Sequence, residues 1–228
     1  MVLRLAMFSQ NGVGQRLTLS RFVCAVPSRN VATPRLFRSY ESSIPAYPAT
    51  IWEVARATSA APRIFKSIKI GEKGMEEEFV DGGFGYNNPL KLAIQEAIHE
   101  CVQETKVACI VSIGTGRPSA SGFTNARGLQ RVIPTDLIDV MKDIAKDCEK
   151  VSEELTERYT NCPGLYHRLN VDVGMEDIAL GEWERLGEVK THTQAYIEGR
   201  TVRRKILEIA QILLGRVDTV YSLNELGA

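Results

Sequence analysis

The chain has 228 residues, of which 44% are hydrophobic; this is enough to bury a core and excludes a fibrous or disordered class. Lys plus Arg and Asp plus Glu each total 28, so the net charge is zero. Because no net field draws the chain toward nucleic acid or an anionic bilayer, we predict no nucleic-acid partner.

The cysteines indicate a reducing compartment. They number five, an odd count, and no Cys-x-x-Cys pair occurs. This pattern does not suggest a disulfide framework, and we expect a cytoplasmic protein. The opening residues 1–8 are too short for the apolar region of a signal peptide. No run reaches the ~20 apolar residues of a spanning helix, which predicts that there is no transmembrane segment.

The first part of the chain predicts two strands and a helix. Residues 1–20 show no clear hydrophobic period and are assigned no structure. Phe22–Val26 is a continuous apolar run ended by a proline, which is typical of a strand buried on both faces. Leu36–Tyr40 alternates in polarity and predicts a second strand. Thr50 is a suitable N-cap for a helix that stops before Pro62.

A polar, glycine-rich stretch follows the next pair of predicted strands, Ser67–Ile70 and Glu78–Val80. The stretch consists of Asp81, Gly82, Gly83, Phe84, Gly85, Tyr86, Asn87, Asn88 and Pro89. An Asp-Gly pair favours a hairpin turn, whereas the helical pattern after the proline favours a strand-to-helix connection. Asn88 is the predicted N-cap of that helix, with the proline at its first position, and the helix extends to Cys101.

Val107–Ile113 is the strongest strand signal in the chain. Because the run is apolar on both faces, it predicts a central strand flanked by helices that begin near Asn88 and Thr135. Ser112 lies inside the run and is interpreted as a core residue with a locally bonded hydroxyl. The following Gly114–Gly116 loop lacks the third glycine of a dinucleotide fingerprint, so a turn is favoured over a nucleotide site.

The C-terminal part predicts two helices and a strand. They are a long helix over Thr135–Tyr159, a strand over Leu165–Val173 and an amphipathic helix over Thr201–Leu214. His167 and His192 have no evident catalytic partner in the sequence and are interpreted as surface or hydrogen-bonded residues.

Metal and cofactor chemistry is not indicated. His99 and Glu100 could begin a zinc-protease motif, but the second histidine of that motif is replaced by Gln103. We therefore predict neither a metal site nor a cofactor.

The alternation of strands and helices predicts an α/β class, specifically a three-layer α/β/α sandwich. Residues 21–228 are predicted to form one domain with C-terminal helices, preceded by the unassigned segment 1–20. In such folds the active groups gather where strands give way to loops, which makes Asp81 the candidate site residue.

Three motifs follow one another along the chain. They are ARATSAAP at residues 55–62, FVDGGFGYNNP at residues 79–89 and VSIGTG at residues 111–116. Together they resemble the second half of a patatin-like phospholipase domain, a family of serine acyl hydrolases similar to lysophospholipases. The resemblance extends over about residues 22–193 and implies a patatin-like fold.

The resemblance also implies a mechanism and a substrate class. Asp81 is then the base of a Ser/Asp dyad, supported by four further motif residues: Gly82, Gly83, Asn87 and Asn88. The carboxylate accepts the serine proton as the hydroxyl attacks a lipid or phospholipid ester, and water hydrolyses the resulting acyl-enzyme. Such substrates are compatible with peripheral contact with a membrane.

The sequence departs from the family pattern at the nucleophile. The family carries its serine in Gly-x-Ser-x-Gly, after a glycine-rich oxyanion loop, and neither feature occurs in these 228 residues. We therefore expect a fold that is incomplete at its N-terminus and a chain that is inactive alone. Two hypotheses remain: the base-bearing half of an acyl hydrolase, or a non-catalytic remnant that acts as a binding module.

Overall fold

The computed structural model describes most of the chain, as residues 2–5, 20–61, 64–101, 105–116, 135–175, 178, 182–216 and 220–227. In chain order the elements are β1 (Val2–Leu5), β2 (Ser20–Pro27), β3 (Arg35–Arg38), α1 (Ile51–Thr58), β4 (Ile68–Ile70), β5 (Glu77–Val80), α2 (Gly83–Tyr86), α3 (Leu90–Glu100), β6 (Lys106–Val107), β7 (Ile110–Ile113), α4 (Thr135–Arg158), β8 (Tyr166–Leu169), α5 (Leu186–Glu198), α6 (Arg200–Leu213), β9 (Tyr221–Ser222) and α7 (Leu223–Gly227). This mixture of helices and sheets agrees with the predicted α/β class.

The chain divides into two compact units. The first unit contains Met1–Val107, Asp147–Val151 and Tyr221–Ala228, and the second contains Ala108–Lys146 and Ser152–Val220. None of the described helices is long and apolar enough to cross a membrane.

A five-stranded antiparallel sheet organises the first unit. Strand β2 pairs with β1, β3 and β5, and β5 pairs in turn with β4. The apolar run Phe22–Val26 lies in β2, and four of its five side chains are buried, as predicted. The β4–β5 pair is also confirmed. In contrast, β1 falls in the segment 1–20 that was assigned no structure, because a four-residue strand is recognised by its partner rather than by its own pattern.

An aromatic cluster fills the space beside this sheet. Phe37, Tyr47 and Phe79 meet edge to face, with ring centroids 5.5–5.6 Å apart. Phe79 is fully buried on β5, two residues before Asp81. Burial of such a ring contributes about 2–3 kcal/mol, so the strand that leads into the candidate site residue is firmly anchored.

Helix α1 begins as predicted. The backbone N–H and the hydroxyl of Thr50 both donate to the Glu53 carboxylate, at 2.7 and 2.6 Å. These bonds fix the chain as it enters the helix. The other end of α1 is buried at Ala57 and Thr58, which brings it against β2.

Helix α3 begins at Leu90, so the prediction of Asn88 as its N-cap is wrong. The Asn88 amide instead donates to the Cys148 carbonyl oxygen at 3.3 Å, a tertiary contact that a local capping pattern does not reveal. The predicted helix is confirmed, and its inner face is buried at Leu90, Ala93 and Ile94, among others.

One buried charge on α3 was not predicted. Glu96 is paired with Arg38 and accepts a hydrogen bond from the Tyr40 hydroxyl at 2.6 Å. Burial, together with the Glu96 charge, raises the pKa of Tyr40, so its hydroxyl remains a donor. Both charged side chains are buried. Removing one of them is therefore expected to lower the free energy of unfolding far more than replacing both by apolar residues.

The prediction of one central strand over Val107–Ile113 is wrong. The run is divided into β6, which pairs antiparallel with β9, and β7, which pairs parallel with β8. The boundary between the two units falls between Val107 and Ala108, and Ile113 is 69% exposed. An apolar run indicates extended structure. The strands that pair with its two parts, however, lie more than 50 residues away in the chain, so the local pattern does not show where the run divides.

Helices dominate the second unit. Helix α4 begins at Thr135, as predicted, and Leu155 near its end is buried. Strand β8 lies within the predicted Leu165–Val173 strand, and α6 corresponds to the predicted last helix, with Ile209 and Ile212 buried. Helix α5 was not predicted, because it buries no residue fully and lacks a strong apolar stripe.

Candidate active site

Asp81 lies where β5 gives way to a helical turn. Its backbone N–H donates to the Ala60 carbonyl oxygen at 3.1 Å, and its own carbonyl oxygen accepts from the Phe84 N–H at 3.2 Å. The predicted strand-to-helix connection is therefore confirmed, and the hairpin alternative is wrong. We predict that the Asp81 carboxylate faces a cleft.

The Asp81 carboxylate is held from one side. Its Oδ1 atom accepts a hydrogen bond from the Gly83 N–H at 2.7 Å. No described residue donates a hydrogen bond to the other oxygen, Oδ2. Since Oδ1 is oriented by the backbone, Oδ2 is the atom that can accept a proton from a reacting group.

Gly82 is required at its position by a close backbone approach. A Cβ atom there would lie 2.4 Å from the Cys24 carbonyl oxygen. The same oxygen accepts a hydrogen bond from the Thr58 hydroxyl at 2.8 Å. The Cys24 carbonyl on β2 therefore joins the end of α1 to the loop that carries Asp81. Sequence reasoning missed Cys24 and Thr58, since neither belongs to the glycine-rich stretch.

Asn87 and Asn88 are both anchored to Cys148. The Asn87 amide donates to the Cys148 sulfur at 3.1 Å, and the Asn88 amide donates to the Cys148 carbonyl oxygen. The Asn87 Oδ1 atom lies 3.8 Å from the point that a Gly83 Cβ would occupy. The structure thus brings the predicted Asp, Gly and Asn residues together, with Cys148 of α4 as an anchor that the sequence did not suggest.

Burial shapes the electrostatics of this site. It raises the pKa of Asp81, and the hydrogen bond from the Gly83 N–H opposes part of that rise. Burial also raises the pKa of the Cys24 thiol, and the Asp81 charge raises it further. Cys24 is consequently a neutral thiol at neutral pH, not a thiolate nucleophile. A carboxylate with a raised pKa is a better proton acceptor near neutral pH than an ordinary aspartate.

The residues that sequence reasoning did not assign to the site have hydrogen-bonding partners elsewhere. The Ser112 hydroxyl is buried, as expected of a core residue, but it accepts from Arg168 Nη1 at 2.8 Å on the neighbouring strand, so the prediction of a local bond is wrong. His167 is buried and lies 2.9 Å from the Gly164 carbonyl oxygen through Nε2. His99 lies beside Glu100, with 2.9 Å between Nδ1 and Oε1. Within the described part of the chain, no group of three or more His, Cys, Asp or Glu side chains is arranged to hold a metal ion.

Comparison with known proteins gives a consistent result. Residues 9–94 match the family described as patatin-like phospholipase, a range that includes Asp81. Calcium-independent phospholipase A2-gamma of Oryctolagus cuniculus is 32% identical over 178 residues, covering 77% of this chain and 21% of that protein. The corresponding Homo sapiens protein is 31% identical over 178 residues, with the same coverage. No solved structure matches the chain significantly.

A third relative has a different description. It is the Arabidopsis thaliana protein named probable inactive patatin-like protein 9, which is 28% identical over 137 residues, covering 54% of this chain and 35% of that protein. The family match and these relatives place the chain in the patatin-like phospholipase family. The chain spans about a fifth of the length of the phospholipase A2-gamma relatives that it matches.

Proposed function

We propose that this chain carries the general base of a serine acyl hydrolase of the phospholipase or lysophospholipase type, with Asp81 as that base. The family supports lipid hydrolysis in general. One observation carries the assignment to Asp81. The Gly83 N–H holds the carboxylate at Oδ1, and no described residue donates a hydrogen bond to Oδ2.

The proposed reaction needs a serine hydroxyl as nucleophile, and this sequence lacks the Gly-x-Ser-x-Gly motif in which the family carries it. Asp81 accepts the proton of a serine hydroxyl as its oxygen bonds to the carbonyl carbon of a lipid ester. The alcohol or lysolipid leaves with that proton, and water then releases the fatty acid from the acyl-enzyme. Since Gly-x-Ser-x-Gly is absent from the 228 residues, we propose that the chain alone does not hydrolyse esters.

An assay of the purified chain tests this proposal. Hydrolysis of p-nitrophenyl butyrate and of lysophosphatidylcholine is measured for the chain, for Asp81→Asn and for Asp172→Asn, a matched change at an exposed aspartate. We expect no turnover by any of the three. Turnover that Asp81→Asn abolishes and Asp172→Asn preserves would contradict the proposal, since it would identify a nucleophile within this chain.

A longer coding sequence provides the positive test. If an in-frame segment before Met1 encodes a glycine-rich loop and Gly-x-Ser-x-Gly, the extended protein is expected to hydrolyse both substrates. Asp81→Asn should then reduce kcat by about 10⁴-fold. A reduction of less than tenfold would exclude Asp81 as the base.

The second candidate is a non-catalytic binding module. It is favoured by the missing nucleophile motif and by the relative whose name describes it as probably inactive. This module would bind phospholipid vesicles without hydrolysing them. An extended coding sequence with a complete nucleophile motif would argue against it.

We also propose a cytoplasmic location with peripheral contact with membranes. All five cysteines are thiols in the structure. Ile51 and Trp52, in the first turn of α1, are 91% and 62% exposed, and Phe65 is 55% exposed. Such side chains suit the interface of a bilayer. Co-sedimentation with phosphatidylcholine vesicles should fall in Trp52→Ser, and imaging of the tagged protein tests the compartment.

A further inference from the structure

The carboxyl ends of β7 and β8 form a polar cluster in the second unit. The two strands are parallel, and Ser112 is the register partner of Arg168. Arg168 extends across to β7, where its Nη1 donates to the Ser112 hydroxyl at 2.8 Å. In α/β proteins the carboxyl ends of parallel strands are the usual position for ligands.

The Arg168 guanidinium is incompletely satisfied. It forms no ion pair with a described residue, and its Nε atom is enclosed without a hydrogen-bond partner. Nη1 is already engaged by Ser112, so the unused edge is the one formed by Nε and Nη2. That edge matches the spacing of two oxygens of a phosphate or carboxylate. A partly buried cation with an orphaned N–H normally has an anionic or polar partner.

Gly114 provides the space in which this guanidinium lies. A Cβ atom at that position would be 2.6 Å from Arg168 Nη2 and 2.3 Å from Asn170 Oδ1. Asn170 is itself fixed, because its Oδ1 accepts from the Gly116 N–H at 2.8 Å. The glycine-rich loop after β7 therefore accommodates side chains of β8 and the residues that follow it.

Two further side chains with donor groups contact the main chain at Arg168 and Asn170. Lys205 Nζ of α6 is 3.5 Å from the Arg168 carbonyl oxygen, and it forms no ion pair with a described residue. The Tyr196 hydroxyl accepts from the Asn170 N–H at 3.0 Å, which leaves its own hydrogen able to donate elsewhere. The cluster thus combines a hydroxyl donor with two positive charges, neither of which forms an ion pair with a described residue.

We propose that Arg168, Lys205 and Tyr196 form a binding site for a phosphate-type oxyanion. The unused guanidinium edge would bind two of its oxygens, and Lys205 would balance part of its charge. The ligand is either free phosphate or the phosphate of a lipid head group, which share this chemistry. The site does not depend on the proposed acyl hydrolase activity, because none of its residues belongs to the Asp81 site.

Titration calorimetry on the whole chain, at constant ionic strength, tests the site. Inorganic phosphate and a water-soluble dihexanoyl phosphatidic acid are titrated into wild type, Arg168→Gln and Arg203→Gln. The last is the matched control, because Arg203 is exposed on α6. We expect saturable binding to wild type, weakened about tenfold or more by Arg168→Gln and unchanged by Arg203→Gln. Tighter binding of the lipid indicates a head group, and equal binding indicates free phosphate.

Arg168→Lys keeps the result interpretable if Arg168→Gln fails to fold. It retains the charge but removes the two-nitrogen edge, so we expect a loss of affinity between wild type and Arg168→Gln. The proposal is overturned if wild type shows no saturable binding of either anion. It is equally overturned if the Arg168 variants bind phosphate as tightly as wild type.

Discussion

The Asp81 loop and the Gly114–Gly116 loop both follow a strand and are both rich in glycine, but the glycines serve different purposes. At Gly82 a main-chain atom, the Cys24 carbonyl oxygen, leaves no space for a Cβ atom. At Gly114 it is the side chains of Arg168 and Asn170 that leave no such space. The first loop holds a carboxylate and the second accommodates a guanidinium. Two loops with a similar local sequence pattern therefore lie beside side chains of opposite charge. The surrounding strands determine which charge each loop accommodates.

The largest effect is expected for Gly82→Ala. The new methyl group would overlap the Cys24 carbonyl oxygen, and a backbone atom in a paired strand has little room to move. We expect the free energy of unfolding to fall by about 3 kcal/mol in urea denaturation. Gly187→Ala is the control, because nothing lies within 4 Å of a Cβ at that helical position. If Gly82→Ala were as stable as Gly187→Ala, the close approach of the Cys24 carbonyl would not require glycine at position 82, and the contrast between the two loops would be lost.

Gly114→Ala is expected to have a smaller effect. The methyl group would displace the Arg168 guanidinium and the Asn170 amide, and side chains can rotate where a main-chain carbonyl does not. The hydrogen bond from the Gly116 N–H to Asn170 would be lost in the process. We expect a loss of about 2 kcal/mol, measured in the same denaturation experiment. A loss larger than that of Gly82→Ala would reverse the comparison.

Ser112→Ala tests the second loop without steric change. It removes the acceptor of Arg168 Nη1 and leaves a second unpaired donor on that guanidinium. A decrease of about 1 kcal/mol in unfolding free energy is expected. Ser152→Ala is a suitable control, since that hydroxyl is also buried but lies 3.3 Å from a neutral partner, the Tyr166 hydroxyl. An effect no greater than that of the control would indicate that the Arg168 contact contributes little.

The smallest effect concerns the charge of Asp81. Burial raises the pKa of this carboxyl from 3.8, so the group contributes stability below its unfolded pKa and loses that contribution as pH rises through its folded pKa. Asp81→Asn should be more stable than wild type at pH ~7, by less than about 1 kcal/mol, and the difference should vanish near pH ~3. Urea denaturation at both values measures it. A variant that is less stable at neutral pH would show that the hydrogen bond from Gly83 outweighs burial.

Local patterns predicted many of the elements. The apolar run of β2 and the helical pattern of α3 were recognised because a continuous run or a helical period reports the burial of a segment directly. The strand-to-helix position of Asp81 was also recognised, since the helical pattern after Pro89 favours that connection over a hairpin. Arg168 and Glu96 were not recognised, because the roles of these charged residues depend on partners more than 50 residues away.

The sequence by itself determined the α/β class, the strand-to-helix position of Asp81 and the resemblance to the patatin-like phospholipases. These features depend on neighbouring residues, whose spacing sets periodicity, turn geometry and motif. Only the tertiary structure divided Val107–Ile113 between two sheets, moved Asn88 from a helix cap to an anchor on Cys148 and placed Gly82 against Cys24. Those outcomes depend on which residues that are distant in the chain approach one another in the fold, and a local sequence pattern does not specify these contacts.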